Sequence, residues 1–273
     1  MVHITKYGTF EKEYMNQRGM LLSGDELHGL DTAFKVGHND SIGTTYAVVS
    51  EGGLCRLPAP SNATTLRIKA GGHANDTAAG SGARSVMLLG CDPAGVAIQE
   101  ILATNGALAS LSTTQEFIRL DQAVVLETGV YPETLLTGGQ ASTITIENTA
   151  GTEDWIFLRF NGFADCQSQQ SCLAVGAGKR AYLTAMNLFV DTNKQVDFLL
   201  VFRNNFLNES TITPVRVGAE LNGIEGSVSI PFVEPPRFPE FTDIGLLAKV
   251  TTGTAKVSAS MTYIMGDVPP SGG

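Results

Sequence analysis

The chain is poor in charge. Charged residues make up 16% of its 273 residues, against about 25% in a typical soluble protein. Acidic residues outnumber basic ones, the net charge is −9, and no cluster of Lys and Arg occurs. Nucleic-acid binding by phosphate neutralisation needs a basic stripe, so we expect no nucleic-acid partner. Scarce charge predicts either that other copies cover part of the surface, or that Thr, Ser and Asn supply its polarity.

Cysteine motifs and long apolar runs are also missing. The four cysteines have no CxxC spacing, which excludes a zinc knuckle. Cys166 and Cys172 bracket a polar loop and would bridge in an oxidising medium, whereas a reducing cytoplasm favours two free thiols, the interpretation we prefer. No signal peptide is recognisable, and no run approaches the roughly 20 apolar residues of a membrane span. We therefore expect a protein made in a cytoplasm, with no membrane partner.

Catalytic and metal-binding signatures are lacking as well. No histidine pair has the spacing of a metal site, and no GxSxG or P-loop motif occurs; the glycine-rich loop Gly71–Arg84 is predicted to be a surface turn. A pair of carboxylates for glycoside hydrolysis would have to come from residues in predicted turns, where such residues are common for turn chemistry alone. These candidates are Asp92, Asp121, Glu133, Asp154 and Asp165. We predict no catalytic residue, no metal and no cofactor.

Alternation of apolar and polar residues is the dominant pattern. Ile144 and Ile146 alternate with threonines, and from Val257 to Met265 every second residue is apolar. A period of two predicts strands with one dry and one wet face. Short strands, many turn residues and almost no helical pattern predict an all-β fold of two antiparallel β-sandwich modules, jelly-roll-like, with seven or eight strands each.

The predicted domain organisation has four parts. Residues 1–60 are sparse in apolar residues and end in a Pro58–Pro60 linker, so we expect an extended N-terminal arm lying on a neighbouring subunit. The alternative is that this segment adds edge strands to its own domain. The first module is placed at residues 61–151 and the second at 152–266, followed by a flexible tail over 267–273.

Contact with other subunits is predicted from apolar residues that a single module has difficulty burying. The strand Val196–Phe202 is apolar on both faces, and the proline-rich stretch Pro231–Glu240 carries aromatics that fit a subunit seam. We predict a symmetric homo-oligomer. The predicted contact residues are Phe34, Tyr131, Phe232, Phe238 and Phe241.

Several stretches carry a family resemblance: AGSGARSVMLLGCDPAGVAIQEILATNG, STITIENTAG, AGKRAYLTAMNLFVDTNKQVDFLLVFRNN and PFVEPPRFPEFTDIGLLAKV. Over roughly residues 60 to 265 the chain resembles uncharacterised virion structural proteins of tailed, mostly marine, bacteriophages. The resemblance implies a non-enzymatic virion component, a head decoration or a head–tail or tail-associated protein, with capsid, collar or tail proteins as partners. By analogy with jelly-roll virion proteins, it implies a trimer. The alternative is a receptor- or glycan-binding module of a tail fibre, which exposed aromatics clustered on one set of loops would favour.

Overall fold

The protein is built from strands. The computed structural model describes residues 30–134, 136–191 and 193–268, and all strand pairs between named strands in these ranges are antiparallel. The strands are β1 (Leu30–Ile42), β2 (Ala47–Val48), β3 (Leu66–Ile68), β4 (Ala83–Cys91), β5 (Ala97–Ala103), β6 (Arg119–Thr128), β7 (Ile144–Asn148), β8 (Asp154–Leu158), β9 (Leu173–Val175), β10 (Lys179–Val190), β11 (Val196–Arg203), β12 (Arg216–Ile224), β13 (Ser227–Pro231), β14 (Arg237–Phe238), β15 (Thr242–Val250) and β16 (Ala255–Asp267). Two short 3-10 turns, Glu51–Gly53 and Pro60–Asn62, are the helical elements of these ranges. The all-β, antiparallel prediction is confirmed.

The larger core lies between two five-stranded sheets. One has the order β1-β16-β10-β13 with β14 beside β10, and the other has the order β12-β11-β15-β2 with β9 beside β15. Both sheets contribute fully buried side chains, such as Met261 and Tyr263 from the first and Phe198 and Leu246 from the second. The alternation predicted for the last strand is confirmed from Val257 to Tyr263.

The smaller core lies between two three-stranded sheets, β3-β7-β8 and β5-β4-β6. It includes Leu88, Ile146 and Trp155, the single tryptophan of the chain. We expected residue 155 to lie in the second module, 152–266, but β8 pairs with β7, with Ile146 opposite Ile156. The side-chain oxygen of Asn148 accepts the backbone N–H groups of residues 152 and 153 at 2.9 and 3.2 Å, which closes a tight turn and makes β7 and β8 a hairpin. The sandwich count and jelly-roll topology remain predictions.

Residues 30–50 are not an arm. Strand β1 pairs with β16 from Leu30–Gly266 to Ile42–Ala255, and β2 pairs with β15. The alternative, strands added to the chain's own domain, is therefore the correct one here. The strand shows no apolar alternation in the sequence because its buried positions hold Lys35, Gly37 and Asn39. Position 37 requires a glycine, because a Cβ there would lie 2.2 Å from the Val49 carbonyl oxygen. The part of the arm prediction over residues 1–29, and most of the predicted tail, lie outside the described residues.

The disulfide prediction needs correction. Cys172 bridges to Cys55, while Cys91 and Cys166 are free thiols. The backbone of Cys166 adopts a left-handed φ of 56°, and its Sγ faces Gly139, where an added Cβ would lie 2.5 Å away. The chain then continues to Cys172, which lies just before β9 and is within reach of the linker. The bridge ties the residues just before the predicted linker to the segment that leads into β9.

Candidate interaction surfaces

A buried guanidinium joins the two cores. Arg119 begins β6 of the smaller core, is 2% exposed, and donates to both carboxylate oxygens of Asp243 in β15, at 2.6 and 3.0 Å. Arg203 of β11 donates to the same carboxylate at 2.6 Å. Arg119 also donates to the carbonyls of Pro58 and Ile118, at 2.8 and 2.6 Å. Planar, bidentate pairing suits arginine, so this contact fixes one core against the other.

The same junction also buries a lysine. Lys35 of β1 donates from Nζ to the backbone carbonyl of Asp121 in β6. Burial lowers the pKa of Lys35, an effect that the negative charge of Asp121 partly opposes. Burial likewise raises the pKa of Asp121, against the opposing effects of Lys35 and of the hydrogen bond from the Ala174 N–H. A polar junction of this kind specifies how the two cores are oriented, which bears on structure more than on chemistry.

An apolar groove of about 400 Å³ opens at the edge of the larger core. We call it the edge groove, and it lies between β11 and β12 on one side and residues 232–239 on the other. Its lining residues are Leu200, Phe202, Asn204, Gly218, Ala219, Phe232, Glu234, Pro236, Arg237, Phe238 and Pro239. Among them, Phe202 and Phe238 meet edge to face, with ring centroids 5.8 Å apart. Its volume falls within the roughly 300–1,000 Å³ of ligand-sized pockets.

The edge groove carries one charge of each sign among its lining residues. Glu234 and Arg237 are exposed, and neither makes an ion pair or a hydrogen bond through its side chain with another described residue. An apolar floor with unpaired charges beside it is the composition of a protein-binding surface. The edge groove is therefore a candidate binding site.

The predicted contact residues fall into two groups. Phe34 on β1 and Tyr131 in the 129–139 loop are 58% and 82% exposed, and Phe232 is half-buried in the edge groove. Phe238 is 5% exposed, because β14 pairs with β10 and turns this ring into the core. Phe241 is half-buried and packs edge to face on Phe206 at 6.0 Å. The last two rings thus pack within their own chain, and replacing Phe238 would damage the core.

Sequence reasoning missed several exposed apolar residues and the walls of the edge groove. The missed surface residues include Leu108, Leu111, Leu136, Ile212, Val215, Val217 and Val233. On the groove wall it missed Phe202, Gly218 and Ala219. Gly218 could have indicated this wall in the sequence, since a glycine within a strand pattern often marks a bulge. In the structure, the pairing of β11 with β12 shifts register at this residue.

A cluster of possible metal ligands involves His38, Asp40 and Glu51, whose ligand atoms lie within 4.8 Å of one another. Arg159 already supplies a positive charge there, with Nη1 at 2.7 Å from an Asp40 oxygen and Nε at 3.9 Å from a Glu51 oxygen. Burial alone would raise the pKa of Asp40, but His38 and Arg159 lower it. The cluster is thus an internal ion-pair network. His73 accepts a backbone hydrogen bond within its own loop, and His3 and His28 lie outside the described residues.

The turn carboxylates have structural partners. Asp92 accepts the backbone N–H groups of residues 94 and 96 in its hairpin turn, and Asp154 pairs with Lys69 at 2.7 Å. Asp165 contacts Arg159 at 3.3 Å. In the glycine-rich loop, the buried Asp76 accepts the N–H groups of residues 83 and 141 at 2.8 and 2.9 Å. A carboxylate therefore takes backbone donors that a phosphate cradle would need.

Within the described ranges, no helix is long and apolar enough to cross a membrane.

No family model and none of the curated proteins matches this chain. Among solved structures, the chain is similar to that of the Gx strain of infectious bursal disease virus, with 11% identity and a TM-score of 0.29 over 91% of this chain and 74% of the other. The VP2 subviral particle of the same virus is 12% identical, with a TM-score of 0.21 over 88% and 77% of the two chains. Likeness at these TM-scores does not establish a shared fold.

Proposed function

We propose that this protein is a non-enzymatic structural component of a virion, which assembles with copies of itself and with neighbouring virion proteins. Its place is that of a head decoration or of a head–tail or tail-associated protein, and a trimer is the expected assembly. The position in the virion and the trimer rest on the resemblance to tailed-phage virion proteins.

One observation carries the self-association part of the proposal: large apolar side chains are exposed in groups along three segments. These are 108–111 with Leu108 and Leu111, 130–136 with Val130, Tyr131 and Leu136, and 212–217 with Ile212, Val215 and Val217. Full burial of such a side chain contributes about 1.5–3 kcal/mol. Single exposed apolar residues are normal, but grouped ones favour an interface.

The low charge of the chain supports the same proposal. The cores of protein interfaces are depleted in charged residues and enriched in aromatics, and the 130–136 segment has Tyr131 at 82% exposure and Leu136 at 80%. A stable interface buries in total about 1,200–2,000 Å². The alternative, a glycan- or receptor-binding module, predicts that aromatic side chains such as Phe34 and Tyr131 bind sugars.

The test is the mass of the purified full-length protein by light scattering at micromolar concentration. We expect the wild-type protein to be an oligomer. The double variant Tyr131→Ser, Leu136→Ser should raise the dissociation constant of this oligomer at least tenfold. Val96→Ser is the control, because Val96 is an exposed apolar residue, at 48%, that lies in a hairpin turn outside the three segments. An unchanged dissociation constant in the double variant would show that the 130–136 segment is not the interface. Binding of sugars by monomers would favour the alternative.

A further inference from the structure

The edge groove is a gap beside an otherwise close-packed core. Leu200 and Phe238 at its base belong to the buried core, whereas Phe202 and Phe232 remain half-buried above them. Protein interiors are packed about as densely as organic crystals, so an apolar opening of about 400 Å³ at this edge favours an occupant that brings apolar side chains. We propose that this occupant is the segment Met20–Leu22 of the same chain.

The place where the described chain begins supports this assignment. Leu30 lies opposite Gly266 in β16. At the next position, residue 31 of β1 pairs with 265 of β16, which pairs with 181 of β10, which in turn pairs with Phe238 of β14. Neighbouring strands are about 4.8 Å apart, so β1 starts only about 14 Å across the sheet from the strand that carries Phe238. Residue 22 is eight positions before Leu30, and eight residues span up to about 26–29 Å when extended. The segment can therefore reach the edge groove of its own chain.

The chemistry of the segment matches the edge groove. Met20, Leu21 and Leu22 form the one run of three large apolar residues within residues 1–29. Arg18 precedes this run and Asp25 follows it, while Glu234 and Arg237 line the groove without partners among the described residues. Each terminal charge of the segment thus has a complementary charge available, which fixes direction as well as position.

A short tether favours the segment of the same chain over that of another copy. A short flexible linker gives an effective concentration in the millimolar range, far above the micromolar concentration of a second molecule in solution. The inference goes beyond the proposed function and does not depend on it, since a monomer and a subunit of an oligomer would both fill the edge groove in this way.

Cysteine cross-linking of the full-length chain tests the inference. Leu21→Cys combined with Ala219→Cys, in a Cys166→Ser background, places one thiol on the segment and one on the groove wall. The matched control combines Leu21→Cys with Val268→Cys. Val268 is exposed and donates its backbone N–H to the Gly178 carbonyl, so it lies close to Leu30 across the sheet but outside the groove. A tethered but undocked segment would reach both positions.

We expect the 21–219 disulfide to form within single chains at least tenfold faster than the 21–268 disulfide under mild oxidation, as measured by mass spectrometry of digests. Equal rates, or a 21–219 link found only between chains, would overturn the inference. So would a small apolar molecule that co-purifies with the protein and is released only by denaturation. Failure of the proposed function would instead appear in the light-scattering mass, which this link does not affect.

Discussion

Replacing Arg119 with alanine removes the buried cation that joins the two cores. Asp243 would keep Arg203 as a partner at 2.6 Å, but the carbonyls of Pro58 and Ile118 would lose a donor. The cation–π contact of Arg119 with Phe206, at 4.5 Å from the ring centroid, would be lost as well. Removing one partner of a buried ion pair costs about 3–5 kcal/mol. The remaining Arg203 places our expectation near the lower limit, at about 3 kcal/mol of the free energy of unfolding.

Because the chain has a single tryptophan, the unfolding of the smaller core can be measured separately. Trp155 is buried in the smaller core, so its fluorescence reports that core, while far-UV circular dichroism reports strands of both. In urea, the wild-type protein should give coincident transitions by the two probes, as expected for cooperative unfolding. In Arg119→Ala we expect the two transitions to separate, because the cores no longer unfold together.

Lys256→Ala is the matched control for the loss of a cationic side chain. Lys256 is 65% exposed at its side chain and lies 3.7 Å from Asp40, and such surface pairs contribute about 0–1 kcal/mol. We expect a small change and coincident transitions in this variant. Coincident transitions in Arg119→Ala, with a loss below about 1 kcal/mol, would refute the conclusion that the buried charges couple the two cores.

Two further predictions concern the disulfide and a buried acid. Cys55 and Cys172 are 117 residues apart, so the chain-entropy argument gives about 5 kcal/mol of stabilisation; replacing both with serine should lower the urea midpoint markedly, and an unchanged midpoint would contradict a bridge that stabilises the fold. Asp121 has a raised pKa in the folded protein because it is buried, so its contribution to stability is fully present below 3.8 and is lost as the pH rises through the raised value. Asp121→Asn keeps a carbonyl acceptor for Ala174 and should flatten the dependence of unfolding free energy on pH above 3.8, and an unchanged slope would contradict the assignment.

Strand character was predictable because it depends on local alternation. Val257–Tyr263 alternates in the sequence and in the structure, and the hairpin turn at Asp92 follows from its turn residues. Strand β1 escaped prediction because its buried positions are polar or small: Lys35 reaches a carbonyl in the other core, and Gly37 allows a close backbone approach. Such positions are apparent only when the partner across the interface is known.

Long-range partners explain the other differences. Trp155 was assigned to the wrong core because an apolar strand looks the same whichever sheet it joins. The bridge from Cys172 to Cys55 crosses 117 residues, whereas we had preferred free thiols and had considered only the nearby Cys166 as a partner for Cys172. The edge groove is formed by residues from β11, β12 and the crossing at 232–239, and only the fold brings these segments together.

Self-association is the property on which the proposed structural role depends, and the solution mass tests it most directly. Light scattering of the wild-type protein at micromolar concentration should give about three times the 28.9 kDa of one chain. A single species of 28.9 kDa that persists as the concentration is raised would contradict the proposed self-assembling virion component.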